Sequence, residues 1–305
     1  MKNCTFLTTM LAALATIVLT SANLQAESIY GIVSSFGTPQ QLVSFNSTTG
    51  AVTNNVSLPS FITSIFGETV VSIDVRPATG ELYGLSSQNK LYKLNPTTGA
   101  STLVGSGLGV TLSGIATIDF NPTVDRVRIV TNNGQNFRAH PDTGAIVFTD
   151  MPLMFKTGDA NEGDMPSVIN AAYTNSFAGA TTTTLYGIEA GNDVLVTQAP
   201  PNDGKLNTVG QIGFDLGTNG LNGFDISGTS GRAYLVGNST FMGDPFGTYS
   251  LYTANLVTGV ATQGPTISPI GGTLVDIAVS PAVPEPATGL LAVLATLTGL
   301  AIRRR

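Results

Sequence analysis

The chain of 305 residues is long enough to bury one substantial core. Only 10% of its residues are charged and 35 are glycine, a composition that favours short strands joined by tight turns and argues against a helical protein. The formal net charge of −6 becomes about −9 if Lys2 and the three terminal arginines are removed with the ends of the chain. Such acidity repels phosphate backbones and excludes nucleic acid as a partner.

Residues 1–26 are predicted to form a signal peptide. A lysine near the start is followed by an apolar stretch, residues 6–19, and then by small residues. Either Ala22 or Ala26 fits the last position before cleavage, and cleavage after Ala26 would make Glu27 the first residue. We therefore expect an exported protein.

Cysteine and histidine, the residues of many metal and catalytic sites, are almost absent. The only cysteine, Cys4, lies ahead of the apolar stretch and would leave with the signal peptide. His140, the only histidine, directly precedes the turn sequence PDTG, which favours a surface position. No Gly-x-Ser-x-Gly motif accompanies it. These patterns argue against a disulfide, a zinc site and a Ser-His-Asp triad in the mature protein.

A repeat of about 50 residues fills the region between the two ends of the chain. Its clearest copy begins at Val70 and contains the short strands VVSIDV, ELYGLS, KLYKLN and ASTLVG, which are separated by turn sequences such as PATG and PTTG. In three copies an aspartate precedes an aromatic residue or an arginine by nine positions. These pairs are Asp74 and Tyr83, Asp119 and Arg128, and Asp225 and Tyr234.

The two ends of the repeat region predict a closed ring. The chain enters the first repeat at its second strand, Ile29–Gly31, and a segment with the missing first-strand pattern appears at Leu274–Ala278. A β-propeller closes in this way and leaves no open sheet edge inside the ring. The sequence therefore predicts an all-β fold, a propeller of five four-stranded blades in which the C-terminal strand joins the first blade. The predicted blades are residues 27–58 with 274–280, 70–106, 115–149, 169–213 and 222–267.

The segments IDVRPATGELYGL, IDFNPTVDRVRIV, AAYTNSFAGATTTTLYGI and TQAPPNDGKLNTVG carry a resemblance to a known family. Together with the surrounding sequence, residues 27–280 resemble the bacterial family called domain of unknown function 4394. The resemblance implies a propeller-like secreted domain. It brings no activity with it.

The tail, residues 281–305, combines a Pro-Glu-Pro segment, the uncharged stretch 287–302 and three arginines. As a helix the stretch would be about 24 Å long, slightly short of a bilayer core of about 30 Å. This tail resembles a PEP-CTERM sorting signal. The resemblance implies a transient inner-membrane anchor, processing by an exosortase-type machinery, and release to the outside or outer surface of a Gram-negative bacterium; an ordinary single-pass anchor is the alternative. The sorting-signal residues are Pro284, Glu285, Pro286, Arg303, Arg304 and Arg305.

Four aspartates of the repeats are predicted to take equivalent places on the innermost strands: Asp74, Asp119, Asp225 and Asp276. A ring of carboxylates at the channel mouth would offer hard oxygen ligands to Ca²⁺. The alternative is that each carboxylate accepts hydrogen bonds within or between blades. We favour this structural role, because the fourth repeat has Ala172 or Tyr173 in place of an aspartate and would interrupt the ring.

A second candidate for calcium is the oxygen-rich loop GDANEGD, residues 158–164. Its ligands would be Asp159, Asn161, Glu162 and Asp164. The loop lacks the EF-hand spacing and the bidentate glutamate at position 12, so an exposed loop between blades is the competing interpretation.

Three arginines of the third blade, Arg126, Arg128 and Arg138, are candidates for an acidic ligand, but we expect them to pair with Asp125 and Asp142. No catalytic constellation is predicted. The preferred function is therefore a non-catalytic extracellular binding or matrix protein, without a required cofactor, whose partners are extracellular polysaccharide or surface proteins in a biofilm. The alternative is a calcium-dependent hydrolase or lyase that uses the channel carboxylates.

Overall fold

A computed structural model of the chain describes residues 26–62, 67–216, 221–238 and 248–281. The predicted sorting tail from residue 282 onward, and the signal peptide except Ala26, lie outside these residues. Within the described ranges, no helix has the length and apolar character that crossing a membrane requires.

The described residues form five β-sheets, numbered here as blades, which are antiparallel except for one short strand in blade 4, and one 3₁₀ turn, Pro201–Asp203. Blade 1 contains β1 (Ser28–Ser34), β2 (Pro39–Asn46), β3 (Val52–Ile62) and β21 (Thr273–Val279). Blade 2 contains β4 (Val70–Val75), β5 (Leu82–Ser86), β6 (Leu91–Leu94) and β7 (Ser101–Val104). Blade 3 contains β8 (Ala116–Asn121), β9 (Arg126–Thr131), β10 (Asn136–Ala139) and β11 (Ile146–Thr149).

The last two blades repeat this order with one addition. Blade 4 contains β12 (Met154–Phe155), β13 (Val168–Tyr173), β14 (Leu185–Glu189), β15 (Val194–Gln198) and β16 (Lys205–Gln211). Blade 5 contains β17 (Leu221–Ile226), β18 (Ala233–Asn238), β19 (Tyr249–Ala254) and β20 (Ala261–Thr266). The short β12 pairs in parallel with β16, so the segment that leads from blade 3 covers the outer edge of blade 4. The prediction of a five-bladed propeller is confirmed.

The innermost strands, β21, β4, β8, β13 and β17, lie next to one another in a ring, and the axial region that they surround is named the channel. The ring closes as predicted, because β21 pairs with β1 through Ile29 opposite Val279 and Ile32 opposite Asp276. Strand pairing of the two ends thus holds the ring together without a covalent link.

Glu27 adds a second connection where the ring closes. Its carboxylate accepts hydrogen bonds from the Tyr234 hydroxyl at 2.6 Å, from Ser230 at 3.0 Å and from Ser227, all in blade 5. Its backbone N–H donates to the Ser47 hydroxyl of blade 1 at 2.8 Å. Glu27 therefore connects the first and last blades through side-chain hydrogen bonds.

The core lies mainly between the blades. Tyr83 and Leu85 of blade 2 are fully buried against Ile118 and Phe120 of blade 3, and the rings of Tyr83 and Phe120 meet edge to face with centroids 5.0 Å apart. Because each blade buries one sheet face against its neighbour, no blade has a core of its own, and stability depends on the complete ring.

Turn glycines allow neighbouring blades to approach closely. Gly99, in the PTTG turn of blade 2, has φ 71°, and a Cβ there would lie 1.9 Å from the carbonyl oxygen of Ser57 in blade 1. Gly144 of blade 3 has the same relation to Val104 of blade 2, with 2.6 Å to its carbonyl oxygen. The Thr-Gly turns of the sequence are therefore contact points between blades as well as hairpin corners.

We expect Gly99→Ala to destabilise the ring through two effects, the strain of a left-handed backbone and a clash with Ser57 of blade 1. Gly37→Ala is the matched control, because Gly37 also has a positive φ, 77°, but a Cβ there meets nothing within 4 Å. Left-handed backbone strain costs about 1–2 kcal/mol and applies to both variants. The contact with Ser57 should cost Gly99→Ala about 1–2 kcal/mol more in chemical denaturation. Equal losses in the two variants would contradict a contact between the blades at this turn.

Candidate functional site

A two-lobed depression lies where the innermost strands begin, at one mouth of the channel. Four residues line both lobes. Val71, Ala116 and Val275 lie near the starts of β4, β8 and β21, and Ile115 directly precedes β8. Lobe 1 has a volume of about 340 Å³ and lobe 2 about 620 Å³, within the range of small-molecule sites. The two lobes differ in their other lining residues. Lobe 1 adds Ser72, Thr117, Asn132, Ser167, Ile169, Asn170, Ala190, Gly191 and Asp276. Lobe 2 adds Ser86, Ser87, Asn89, Leu112, Gly114, Asn222, Asn238, Thr273 and Leu274.

The floor of lobe 1 is a polar tier contributed by four innermost strands. Ser72 donates to the Asp276 carboxylate at 2.6 Å and accepts the backbone N–H of Ile118 at 3.0 Å. Thr117 lies 3.5 Å from the Ser72 hydroxyl, and the Asn170 amide is 3.5 Å from Asp276. These side chains are almost fully buried, and they line the cavity as a floor of hydroxyl, amide and carboxyl groups.

The strand registers show that Asp276 is not equivalent to the other three repeat aspartates. Asp74 lies opposite Tyr83 and Asp225 opposite Tyr234, whereas Tyr30, the matching tyrosine of blade 1, lies opposite Ala278. The prediction of equivalent places was therefore wrong for Asp276. Because side chains on one face of a strand recur every second residue, Asp276 lies one step closer to the mouth, at the level of Ser72.

The other three aspartates form a deeper tier. One carboxylate oxygen from each of Asp74, Asp119 and Asp225 lies within 4.8 Å of the other two, and all three residues are buried. Ala172 and Ala278 occupy the remaining two places of this tier. The fourth repeat thus has Ala172, one of its two predicted alternatives, where the aspartate would be.

Each of these carboxylates also connects its own blade to the next one. Asp74 accepts the backbone N–H of Phe120 in blade 3 at 2.6 Å, and Asp119 accepts that of Tyr173 in blade 4 at 2.9 Å. Asp225 accepts the N–H of Val279 in blade 1 at 2.5 Å. The structural role predicted for the repeat aspartates, in which each carboxylate accepts hydrogen bonds within or between blades, agrees with these contacts.

Asp276 makes the corresponding contact from blade 1, one step along its strand. Its carboxylate accepts the N–H of Ile73 in blade 2 at 2.9 Å, besides the N–H of Ile277 and the Ser72 hydroxyl. Four of the five blade junctions therefore carry an aspartate bond between innermost strands, and the junction after Ala172 does not.

Burial sets the electrostatics of both tiers. Removal from water raises the pKa of Asp276 to about 7 and that of Asp225 to about 6. Burial also raises the pKa of Asp74 and of Asp119 well above the usual range, and the charges of neighbouring aspartates raise both further. The deeper tier therefore tends to retain protons, and as a cation site it would supply three of the six to eight oxygens that Ca²⁺ takes.

The loop 158–164 is docked on blade 4 through its own polar side chains. The Asp159 carboxylate accepts the backbone N–H of Thr208 at 2.6 Å and its hydroxyl at 2.7 Å, and Asn161 donates to the same hydroxyl at 2.9 Å. Glu162 accepts the N–H of Gly158 at 2.7 Å. Among the described residues, the three deep aspartates are the one acidic group of three within metal-binding distance, and these loop residues form no such group.

The predicted partners were wrong for Arg128 and Arg138, whereas Arg126 donates to the backbone carbonyl oxygen of Asp125 at 2.8 Å. Arg128 and Arg138 both pair with Asp150, at 2.6 Å and 2.8 Å. Asp125 and Asp142 are instead bound by Arg76, which reaches across from blade 2. Closeness in sequence did not predict these ion pairs, because each arginine pairs with an aspartate that lies across a hairpin or across a blade junction.

His140 lies at the surface turn as predicted, where its Nδ1 accepts the backbone N–H of Asp142 at 3.1 Å. Sequence reasoning missed Ser72, Thr117, Asn170 and Asn222, which border the depression. A signal was present for the first two, because each lies two residues before a repeat aspartate and must share its face of the strand.

Comparison with known proteins identifies a family but no ligand. The sequence profile of the domain of unknown function DUF4394 matches residues 41–278. No curated protein matches the chain. The Dos1 propeller is 13% identical with a TM-score of 0.40, and the alignment covers 77% of this chain and 58% of that one. This chain thus spans little more than half the length of the Dos1 propeller chain.

Two further solved structures are similar at the same low level. YCF48 bound to D1 peptide is 10% identical with a TM-score of 0.35, covering 80% of this chain and 73% of that one. Apo AztD from Citrobacter koseri is 8% identical with a TM-score of 0.38, covering 84% and 99%.

Proposed function

This chain belongs to the DUF4394 family, and from that premise, which supplies no activity, we propose that it is a non-catalytic binding protein that acts outside the cell. Its ligand is a segment of extracellular polysaccharide, held in the two-lobed depression at the channel mouth. The observation that carries this proposal is the polar tier under lobe 1, where hydroxyl, amide and carboxyl groups from four blades border one cavity.

The lining chemistry supports a hydroxyl-rich ligand. Among the described residues that line the two lobes, Asp276 is the only ionisable side chain, and no lysine or arginine is present. A phosphate or sulfate group would find no cation there, whereas sugar hydroxyls can donate to the Thr117 hydroxyl and can both donate to and accept from the Asn170 amide. Val71, Ile115 and Val275 offer apolar surface to the C–H faces of a sugar ring.

The location outside the cell is supported by the sequence patterns at both ends of the chain. A signal peptide and a PEP-CTERM-like tail would deliver the folded ring, residues 27–280, to the surface where polysaccharide is assembled. An exosortase-type machinery would process the tail. A role in the matrix of a biofilm follows if the released protein stays bound to that polysaccharide.

Binding to polysaccharide tests the proposal directly. Polysaccharide from the culture medium of the source bacterium should retain the purified residues 27–281 in affinity electrophoresis. Ser167→Tyr, at the half-buried rim of lobe 1, should reduce retention at least about tenfold, since it fills the lobe without removing an observed side-chain bond. Phe36→Tyr, an exposed position away from the lining, is the control. Equal retention of all three proteins would contradict binding at the depression.

The alternative, a calcium-dependent hydrolase or lyase, draws on the cluster of Asp74, Asp119 and Asp225. We expect Ca²⁺ and EDTA to leave the melting temperature unchanged within about 1 °C, because these carboxylates already bind the backbone of the next blade. A large calcium-dependent rise that disappears in Asp119→Asn would favour the alternative. Thermal unfolding with matched ionic strength distinguishes the two.

A further inference from the structure

One buried polar atom in lobe 2 has no partner. Within the described part of the chain, the Asn222 Oδ1 is the only buried side-chain nitrogen or oxygen without a hydrogen bond. The other end of the same amide, Nδ2, donates to the carbonyl oxygen of Leu274 at 2.7 Å. This bond fixes the orientation of the amide, because turning it over would place two acceptors against each other.

An unmatched acceptor at this position is unusual for a native protein. Buried polar atoms are almost always hydrogen-bonded, and an orphan costs the desolvation of that atom. The residue that carries this atom, Asn222, is partly exposed and lines a cavity of about 620 Å³, which is large enough for a sugar residue. A hydrogen-bond donor on a ligand in lobe 2 would remove the cost.

The other residues that line lobe 2 indicate which charge a ligand with such a donor can carry. Its side chains are hydroxyls, amides and aliphatic groups, and none of them is ionisable. The nearest carboxylate in the depression, Asp276, belongs to lobe 1. Behind this lining, the Glu68 carboxylate accepts the Ser86 hydroxyl at 2.5 Å and pairs with Lys90 at 3.3 Å, so these two charges compensate each other. Among the described residues, a ligand ammonium in lobe 2 would therefore lack an unpaired counter-charge and a ligand carboxylate would lack an unpaired cation, and either would pay a desolvation cost.

We infer that lobe 2 is a subsite for one neutral, unsubstituted sugar residue of the polysaccharide, whose hydroxyl donates to Asn222 Oδ1. This inference rests on the proposed function and names the ligand class of its site. Val71, Leu112 and Val275, which are partly exposed, would pack against the apolar face of the ring while the hydroxyl edge meets the amides. Asn222 would then act as the residue that selects neutral over acidic or amino sugars.

Three oligosaccharides of matched length provide the test: a glucose tetramer, a glucuronic acid tetramer and a glucosamine tetramer. Isothermal titration should show the tightest binding for the neutral tetramer. Asn222→Ala removes the acceptor and should weaken that binding at least about tenfold. Circular dichroism and thermal unfolding check that the loss of the bond to Leu274 leaves the variant folded.

A second variant keeps the inference testable if Asn222→Ala does not fold. Thr273→Tyr fills lobe 2 from its exposed rim and leaves the Asn222 amide and its bond to Leu274 in place. It should also abolish binding of the neutral tetramer. Phe36→Tyr, at an exposed position away from both lobes, is the control for an added tyrosine, and Ser167→Tyr reports separately on lobe 1.

The outcomes separate the inference from the proposed function. Binding that is lost in Ser167→Tyr but unchanged in Asn222→Ala and Thr273→Tyr would overturn the inference and leave the depression as the site. Preference for the glucuronic acid or glucosamine tetramer would also overturn it. If the wild type bound neither the tetramers nor the native polysaccharide, the proposed function itself would be refuted.

Discussion

A chain that lacks residues 273–281, and with them strand β21, should not form a stable ring. The deletion leaves β1 without its partner on the channel side and removes Leu274 and Ile277, which are 0% and 1% exposed. It also removes the N–H of Val279, which the Asp225 carboxylate accepts. Loss of these two side chains alone is worth about 4–8 kcal/mol, comparable to the whole stability of a domain.

The measurement is cooperative unfolding followed by circular dichroism and near-ultraviolet absorption of tyrosine. We expect the deletion variant to show no cooperative transition and to aggregate, because the bare edge of β1 offers unpaired N–H and C=O groups to other chains. A synthetic peptide of residues 273–281, added in excess, should restore part of the transition by strand addition.

A circular permutant is the matched control for this deletion. Val279 lies opposite Ile29, so a short glycine linker can join residue 281 to residue 27, with new ends at residues 268 and 267. All strands of blade 1 are then consecutive, and we expect the permutant to unfold cooperatively at a similar denaturant concentration. A stable deletion variant, or an unfolded permutant, would contradict closure by β21.

Stability should fall as the pH rises from about 5 to about 7.5. Burial raises the pKa of Asp225 to about 6 and that of Asp276 to about 7, above their values in the unfolded chain. Between those values the folded protein binds more protons than the unfolded one, so the stabilisation present at low pH is lost as the pH rises through the folded pKa values. From these two groups we expect a decrease of about 2–4 kcal/mol in the free energy of unfolding.

Other carboxylates do not reverse this trend. Ion-paired hydrogen bonds with Lys93 and Arg76 lower the pKa of Glu81 and of Asp142. The stability that these groups contribute is present above their ordinary pKa and is lost only at pH below about 4–5. The window from about pH 5 to 7.5 therefore reports mainly on the buried aspartates of the channel.

Urea denaturation at several pH values in this window measures the effect. Asp225→Asn is the informative variant, because an amide cannot ionise but has only one oxygen for the N–H groups of Ile226 and Val279. It should be less stable than the wild type at about pH 5 and should show a shallower pH dependence. If the free energy of unfolding of the wild type increased from about pH 5 to 7.5, burial would not raise the pKa values of Asp225 and Asp276.

The repeat was readable from the sequence because its signals are local. Strand length, alternation and the turns PATG, PTTG and PDTG depend on neighbouring residues only. The nine-residue spacing from Asp74 to Tyr83 spans one hairpin, and the two residues are indeed opposite each other. Even closure could be predicted, since the first repeat lacks a strand that appears at the other end.

The level of each side chain in the channel was harder to predict. The motif around Asp276 resembles that around Asp74, but the true match of blade 1 is Ala278. A subtler spacing carried this information: Pro77 and Pro281 each lie three residues after the matching positions Asp74 and Ala278. Because side chains alternate between faces, a two-residue error keeps the side chain in the channel and moves it by one tier.

By itself, the sequence determined the blade architecture, the closure of the ring and the polar character of the innermost strands, because these follow from patterns within one hairpin or one repeat. Only the tertiary structure decided which side chains meet: the tier of Asp74, Asp119 and Asp225, the floor below lobe 1 and the unpartnered oxygen of Asn222. These groups come from different blades, and their distances depend on how five sheets pack around one axis. No spacing along the chain encodes that packing directly.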